Sequence, residues 1–171
     1  ALGSDHRMWD AQLEALERVF GVLRIDTRGH GKSTYLDGAP GIDAAGAGRS
    51  IADYGNDVIA VLDALHIERA HWCGLSMGGM VAMWVASQVP ATPGATALSQ
   101  RVARLVLANT SAHMGPRESW DMRIDTVRRE GLGTLAAGLG ERWYGADFRR
   151  HAPEIMEATA ATLRATRDRK S

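Results

Sequence analysis

The sequence predicts an α/β protein, in which a small parallel sheet carries helices and a helical segment follows. Three short apolar segments, at residues 19–25, 70–75 and 102–108, have the length of strands and alternate with helical patterns. The last of them is almost wholly apolar, as is typical of a parallel strand covered on both faces. Only helical patterns occur after residue 110, so we expect an α/β core at residues 1–110 and a helical segment at residues 111–171.

The beginning of the chain predicts a helix, a strand and a loop, in that order. Residues 8–18 predict the helix because their large apolar side chains recur at helical spacing. Residues 19–25 predict a buried strand that runs into the glycine-rich sequence DTRGHG. Residues 36–49 are rich in Gly, Ala and Asp and predict a surface loop.

The middle of the chain predicts two further helices around a second strand. Ser50 is in position to cap a helix whose apolar face consists of Ile51, Tyr54, Val58, Val61, Leu62 and Leu65. A strand at residues 70–75 and a strongly apolar helix at residues 77–89 follow, and Pro90 ends that helix. The composition of residues 90–97, PATPGATA, predicts a loop before the third strand.

Composition excludes several classes of protein. The 171 residues are 45% hydrophobic and 23% charged, which suits one globular core and not a disordered chain. Twenty basic and twenty acidic residues cancel, so the basic surface that would bind nucleic acid is not expected. No apolar run has the length of a membrane helix, and the first residues do not resemble a signal peptide. The single cysteine, Cys73, fits a reducing compartment, and we expect a cytoplasmic protein.

The chemistry is concentrated in the sequence GLSMGG, a G-x-S-x-G motif with a predicted strand before it and a predicted helix after it. Such a sharp strand-to-helix turn would expose the hydroxyl of Ser76 above the edge of the sheet. We expect Gly74 and Gly78 to leave room for chain segments that would otherwise clash. The amide of Met77 would lie at the helix N-terminus, where it can stabilise a developing oxyanion. The alternative is a glycine-rich turn with an idle serine.

Three sequence blocks, LGSDHRMWDAQLEAL, DTRGHGKS and GLSMGGMVAMWVA, resemble the α/β-hydrolase family. More narrowly they resemble the 3-oxoadipate enol-lactone hydrolases of bacterial aromatic catabolism, in the β-ketoadipate pathway. The resemblance implies an α/β-hydrolase fold with a helical cap at residues 111–171. It also implies an ester hydrolase that cleaves the enol-lactone through an acyl-enzyme on Ser76. The partner is then a small anionic lactone or ester.

The resemblance adds candidate residues outside the motif. The position that matches the second oxyanion-hole amide of the family is Leu2, for which simple packing is the alternative. A substrate with a free carboxylate needs a cation or a helix N-terminus in its pocket. Arg142 with the adjacent Trp143 in the cap are our candidates. Helix packing with a solvated arginine is the alternative for this pair. We expect His30 to support the tight loop around it, and a catalytic role is the less favoured alternative.

The sequence departs from the family where the other members of the catalytic triad are concerned. In this fold an acid and then a histidine follow the nucleophile along the chain. After Ser76 only His113 and His151 remain, and neither has the family's sequence context. We therefore expect this chain to be part of a longer hydrolase. The first strands of that hydrolase and its Asp/His segment would lie outside these residues. Alone it would be nearly inactive, because a serine without a base is a weak nucleophile.

Several alternatives remain open from the sequence. A broad carboxylesterase or a relative of cofactor-free haloperoxidases or acyltransferases would use the same motif, since fold does not determine the reaction. A non-catalytic relic is the alternative if the natural chain ends at Ser171, and fusion to a decarboxylase is conceivable. No metal-ligand spacing and no phosphate-binding glycine loop is visible, so no metal or other cofactor is expected. The sequence does not predict the oligomeric state.

Overall fold

The computed structural model describes residues 1–33, 50–89 and 97–165. Within these ranges the regular elements are α1 (Asp10–Glu17), α2 (Ile51–Ala64), β1 (Ala70–Leu75), α3 (Met77–Ser87), β2 (Val102–Ala108), α4 (Arg117–Glu130), α5 (Ala136–Trp143), α6 (Ala146–His151) and α7 (Pro153–Ala165). Short 3-10 helices lie at His6–Trp9, Leu98–Arg101 and Leu132–Leu135. The predicted loop at 36–49 and, apart from Ala97, the one at 90–97 fall outside the described residues.

The chain divides into two compact units. The first comprises Ala1–Leu2 and the described residues of Tyr35–Met114, and it holds the sheet with α2 and α3. The second comprises the described residues of Gly3–Thr34 and Gly115–Ser171, and it holds α1 and α4 to α7. The expectation of separate domains at residues 1–110 and 111–171 stays a prediction.

Two adjacent parallel strands form the sheet in the described residues. β1 and β2 pair in parallel, with Trp72 opposite Leu105 and Leu75 opposite Ala108, so both strands end at the same edge. Helix α3 packs on both strands and α2 packs on α3, around a core of Ile59, Leu62, Val81, Ala82 and Val85. The two helices approach closely at Gly55, where a Cβ would collide with the Trp84 ring. Burial of this apolar set drives the assembly of the unit.

A single arginine links the beginnings of the two strands. Nε and Nη2 of Arg101 donate to the carbonyl oxygens of Glu68 and Ile67, at 2.7 and 2.8 Å. Its Nη1 lies 2.6 Å from a carboxylate oxygen of Asp63 on α2, and only 16% of the side chain is exposed. These contacts hold the start of β2 beside the start of β1. The register they support brings the ends of the strands level, and the candidate site lies at those ends.

Two predictions about the sheet are wrong. Residues 19–25 form no strand, although both neighbouring segments match their predictions. An apolar run becomes a strand only when another strand supplies its hydrogen bonds, and none of the described residues does so. Val19 is 73% exposed there. β2 is also not covered on both faces, because Val106 and Leu107 remain 57% and 43% exposed.

The predicted apolar face of α2 needs one correction. Leu65 was predicted to belong to this face but is exposed, and Ile59, which was not predicted, is buried.

Helix limits match their predictions within a few residues. Ser50 caps α2, and a capping box forms because the Ser50 side chain accepts from the Asp53 amide while Asp53 accepts from the Ser50 amide. α3 ends at Ser87, two residues before the predicted end. Over the described residues, the helical segment predicted after residue 110 contains α4 to α7 and the 3-10 helix at Leu132–Leu135.

Within the second unit, Asp26 joins two loops. Its carboxylate accepts hydrogen bonds from the backbone amides of His6 and Lys32, at 2.6 and 3.1 Å, and lies 3.0 Å from Nδ1 of His6. A side chain at Gly31 would collide with this carboxylate, so the glycine is required for the close approach. Burial acts to raise the pKa of Asp26, but the hydrogen bonds from Lys32 and His6 outweigh it and hold the pKa below its ordinary value.

This lowered pKa makes Asp26 a source of acid sensitivity. A carboxyl group whose pKa is lower in the folded state contributes stability above its ordinary pKa of 3.8 and loses it as the pH falls through the folded value. We expect Asp26→Asn to lower the free energy of unfolding at pH 7 by about 2 kcal/mol, because two amides lose a charged acceptor. The difference from the unsubstituted protein should shrink below pH 4. Denaturant unfolding at pH 7 and pH 3 measures both effects, with the exposed Glu14→Gln as control. A difference that is the same at both pH values would contradict this role.

Candidate active site

The feature that defines the site is the one-residue connection between β1 and α3. β1 ends at Leu75, α3 begins at Met77, and Ser76 between them has φ 53° and ψ −121°. Residues other than glycine rarely adopt a positive φ, and such a conformation costs about 1–3 kcal/mol. Strain of this size persists only where surrounding contacts maintain it, and it is concentrated at functional sites.

The hydroxyl of Ser76 does not cap the helix that it precedes. Serine at an N-cap normally has extended backbone and accepts a hydrogen bond from the first turn, as Ser50 does with φ −81° and ψ 162°. Ser76 has a different backbone conformation and makes no side-chain cap hydrogen bond. The Ser76 hydroxyl therefore has no role as the cap of α3.

The glycines on either side of Ser76 differ in how much space they have. A Cβ at Gly74 would lie 2.6 Å from the carbonyl carbon of Gly78 and 2.6 Å from the nitrogen of Gly79, and backbone atoms cannot swing away. The predicted crowding at Gly74 is thus present. The reason expected for Gly78 is wrong, because a Cβ there would meet nothing within 4 Å. The backbone of Gly78 is instead the obstacle that Gly74 avoids.

Gly79 and Thr110 form a contact that the sequence analysis missed. A Cβ at Gly79 would lie 2.6 Å from Cγ2 of Thr110, so the threonine occupies the space that the glycine leaves. Oγ1 of Thr110 donates to the carbonyl oxygen of Ser76 at 2.7 Å. The amide of Ser76 donates to the carbonyl oxygen of Ala108 at 3.0 Å. The available signal was a polar residue just after the third predicted strand.

The two predicted oxyanion donors have different settings. Met77 is the first residue of α3, where amides have no acceptor within the helix and the helix dipole favours negative charge. Leu2 lies in the same compact unit as Ser76, and the next residue, Gly3, has φ 76°. The Leu2 side chain is 47% exposed, so it is not a core packing residue. The Met77 amide beside an uncapped hydroxyl could stabilise charge that develops on a bound carbonyl group.

Arg142 and Trp143, the predicted residues of a substrate pocket, lie in the last turn of α5. Both are exposed, Trp143 by 40%. No ion-pair partner for Arg142 occurs in the part of the chain that the structure describes. They belong to the second compact unit, whereas Ser76 belongs to the first.

No contact to the Ser76 hydroxyl identifies a histidine as its base. Over residues 1–33, 50–89 and 97–165, the Ser76 hydroxyl has no hydrogen bond to an imidazole or a carboxylate. His113 and His151 are both exposed, and Nδ1 of His151 lies 2.8 Å from the Asp147 carbonyl oxygen on the same helix. That neither of them acts as the general base stays a prediction.

His30 is 6% exposed, and burial lowers the pKa of its ring. Nδ1 lies 3.2 Å from the Arg28 carbonyl oxygen, whereas Nε2 is buried with no partner among the described residues. The His30 backbone bonds to Thr27 and Ser33 across the loop. These contacts agree with the loop-supporting role expected from the sequence.

Other reactive groups do not form a second centre in the described ranges. No cluster of three or more His, Cys, Asp or Glu that could hold a metal ion occurs there. Partial burial raises the pKa of the Cys73 thiol, so it stays protonated at neutral pH and is a poor nucleophile. Among the same residues, no helix has both the length and the apolar character needed to cross a bilayer.

Comparison with protein families adds a match over almost the whole chain. A model for the alpha/beta hydrolase fold matches residues 1–170. Two curated relatives from Acinetobacter baylyi, 3-oxoadipate enol-lactonases 1 and 2, are 32% and 35% identical over 163 residues, or 95% of this chain. The match covers 54% of each relative, so the chain spans about half the length of these proteins.

Solved structures of hydrolases are also similar to this chain over almost its whole length. A hydrolase from Pseudomonas aeruginosa PA01 is 42% identical, with a TM-score of 0.81 over 98% of this chain and 57% of that one. The enol-lactonase from Burkholderia xenovorans LB400 is 34% identical, with a TM-score of 0.80 over 97% of this chain and 57% of that one. A thermophilic esterase from Thermogutta terrifontis, solved with malate bound, is 28% identical, with a TM-score of 0.80 over 97% and 56%.

Proposed function

The chain belongs to the α/β-hydrolase fold family, and from this membership we propose that the protein is a cytoplasmic serine hydrolase that opens 3-oxoadipate enol-lactone to 3-oxoadipate. The observation that carries the proposal is the strained, uncapped Ser76 at the carboxyl end of β1. The similarity to proteins named as enol-lactonases supports the choice of substrate. A non-catalytic relic would gain nothing from keeping a backbone strain of about 1–3 kcal/mol at this serine.

The reaction begins with attack of Ser76 Oγ on the lactone carbonyl carbon. The hydroxyl proton passes to a general base, and the carbonyl oxygen becomes an oxyanion that accepts from the amides of Met77 and Leu2. Loss of one such donor typically costs about 3 kcal/mol of transition-state stabilisation. The ring C–O bond then breaks, the ring oxygen takes a proton as an enol, and the enol tautomerises to the ketone. Water attacks the acyl-enzyme and releases 3-oxoadipate and the free serine.

The lactone is well suited to a serine nucleophile. Its leaving group is an enol, which departs more readily than an alkoxide and needs less acid assistance. The described residues around Ser76 do not supply the general base or the acid that orients it. Another part of the protein supplies both groups. Met77 supplies the oxyanion site at the N-terminus of a helix, and this site needs no rearrangement during the reaction.

Recognition of the free carboxylate is assigned to Arg142, with Trp143 beside it as an apolar wall. An arginine without an ion-pair partner among the described residues can donate two parallel N–H groups to a carboxylate. The exposed Trp143 ring offers a flat surface for the remainder of the ligand. The second candidate function is a broad carboxylesterase, and the similarity to the Thermogutta terrifontis esterase favours it.

Substrate preference distinguishes the two candidates. We expect the complete gene product to hydrolyse the enol-lactone with a kcat/KM about 10³-fold or more above that for a neutral aryl ester. Arg142→Gln should raise KM for the lactone about 10-fold and leave KM for the neutral ester unchanged, since one charge-assisted contact is lost. Arg150→Gln, which removes an exposed arginine paired with Asp147, is the matched control. Equal kcat/KM for both substrates would favour the esterase, and equal effects of Arg142→Gln on both would remove that residue from the pocket.

A further inference from the structure

We propose that Thr110 is a positioning residue that holds Ser76 in its reactive backbone conformation. The proposal rests on the proposed role of Ser76 as the nucleophile. Thr110 is 34 residues from Ser76 along the chain, and its hydroxyl donates to the Ser76 carbonyl oxygen at 2.7 Å. It is the one side chain among the described residues that hydrogen-bonds to the backbone of Ser76.

The backbone of Ser76 is held on both sides, by the last residue of β2 and by Thr110 just after it. Its amide donates to the Ala108 carbonyl oxygen at 3.0 Å, and its carbonyl oxygen receives the Thr110 hydroxyl. The same carbonyl oxygen also accepts from the amides of Gly79 and Met80 in the first turn of α3, at 2.9 and 3.2 Å. A conformation with φ 53° persists when such contacts over-determine it.

The chain turns sharply after β2 to bring Thr110 into this position. Asn109 has φ 43°, a left-handed conformation that asparagine tolerates better than most residues. The turn places Cγ2, Cβ and Oγ1 of Thr110 where a Cβ of Gly79 would be, at 2.6, 2.8 and 2.9 Å. The threonine thus makes two separable contacts, since its hydroxyl binds Ser76 and its methyl group packs against Gly79.

Removal of the hydroxyl should let the strained connection relax and move Oγ of Ser76 out of line with the bound carbonyl group. A misplacement of about 1 Å can cost about 100-fold in rate. We expect Thr110→Val, which keeps the methyl group, to lower kcat about 10- to 100-fold with KM changed less than about 3-fold. Thr110→Ser keeps the hydroxyl and should retain most of kcat. Thr126→Val removes a similar hydroxyl-to-carbonyl bond on α4 and should change neither constant.

The experiment measures kcat and KM of the complete gene product on a neutral aryl ester, with the folded fraction of each variant determined by thermal unfolding. If Thr110→Val does not fold, the ratio between Thr110→Ser and Thr110→Ala isolates the hydroxyl, since both lack the methyl group. Equal kcat for Thr110→Val and the unsubstituted protein, or equal losses in Thr110→Ser and Thr110→Ala, would overturn the proposal. Ser76→Ala is assayed in parallel: if it keeps full activity, the proposed function fails, whereas its inactivity beside an unaffected Thr110→Val refutes only the positioning role.

Discussion

Ser76→Ala is expected to lower kcat/KM for the enol-lactone and for a neutral ester by at least about 10⁴-fold. The serine oxygen forms the covalent bond to the acyl group, and an alanine leaves only binding and the oxyanion amides to act on the substrate. The protein should remain folded, because alanine and serine have similar strain at φ 53° and the hydroxyl makes no cap hydrogen bond. Steady-state kinetics with circular dichroism on the complete gene product measures both quantities.

The matched control for this substitution lies at the other end of the same helix. Ser87→Ala removes a hydroxyl that donates to the Trp84 carbonyl oxygen at 2.8 Å, and we expect its kcat/KM to stay within about 2-fold. If Ser76→Ala were as active as Ser87→Ala, hydrolysis would have to proceed through another nucleophile or an activated water.

The largest expected effect on folding is that of Gly74→Ala. Its Cβ would lie 2.6 Å from two backbone atoms at the start of α3, so either the strand or the helix must move. We expect the free energy of unfolding to fall by about 3 kcal/mol, and hydrolysis to be lost because the movement displaces Ser76. Denaturant unfolding followed by the kinetic assay tests the two parts of the expectation.

Gly78→Ala provides the control, since it places the same methyl group four residues further on. The space around Gly78 is open to 4 Å, and alanine is favoured over glycine in a helix by about 1 kcal/mol. We therefore expect its free energy of unfolding to be unchanged or higher by up to about 1 kcal/mol. Similar destabilisation by both substitutions would mean that the close approach at Gly74 does not limit the turn.

The connection at Ser76 could be predicted because it is local. A strand pattern, a serine between glycines and a helical pattern follow one another within 20 residues, and each follows from short-range spacing. The contact from Thr110 could not be predicted in this way. It depends on β2 lying beside β1 in a specific register and on the positive φ of Asn109, and neither is visible in the periodicity of the sequence.

The wrong strand prediction at residues 19–25 has a related cause. An apolar run reports that its side chains favour burial, but it does not report which backbone will pair with it. The same limit applies to β2, whose apolar composition indicated burial on both faces while Val106 is 57% exposed. Capping at Ser50 was predicted well because it depends only on residues within one helical turn.

The central claim is that Ser76 is an activated nucleophile, and covalent labelling tests it most directly. The complete gene product is treated with a fluorophosphonate, which reacts with activated serines, and the modified peptide is identified by mass spectrometry. We predict one adduct, on Ser76, that is absent in Ser76→Ala and formed more slowly when the enol-lactone is present. An adduct on a different residue, or lactone hydrolysis that continues unchanged after Ser76 is fully labelled, would contradict the claim.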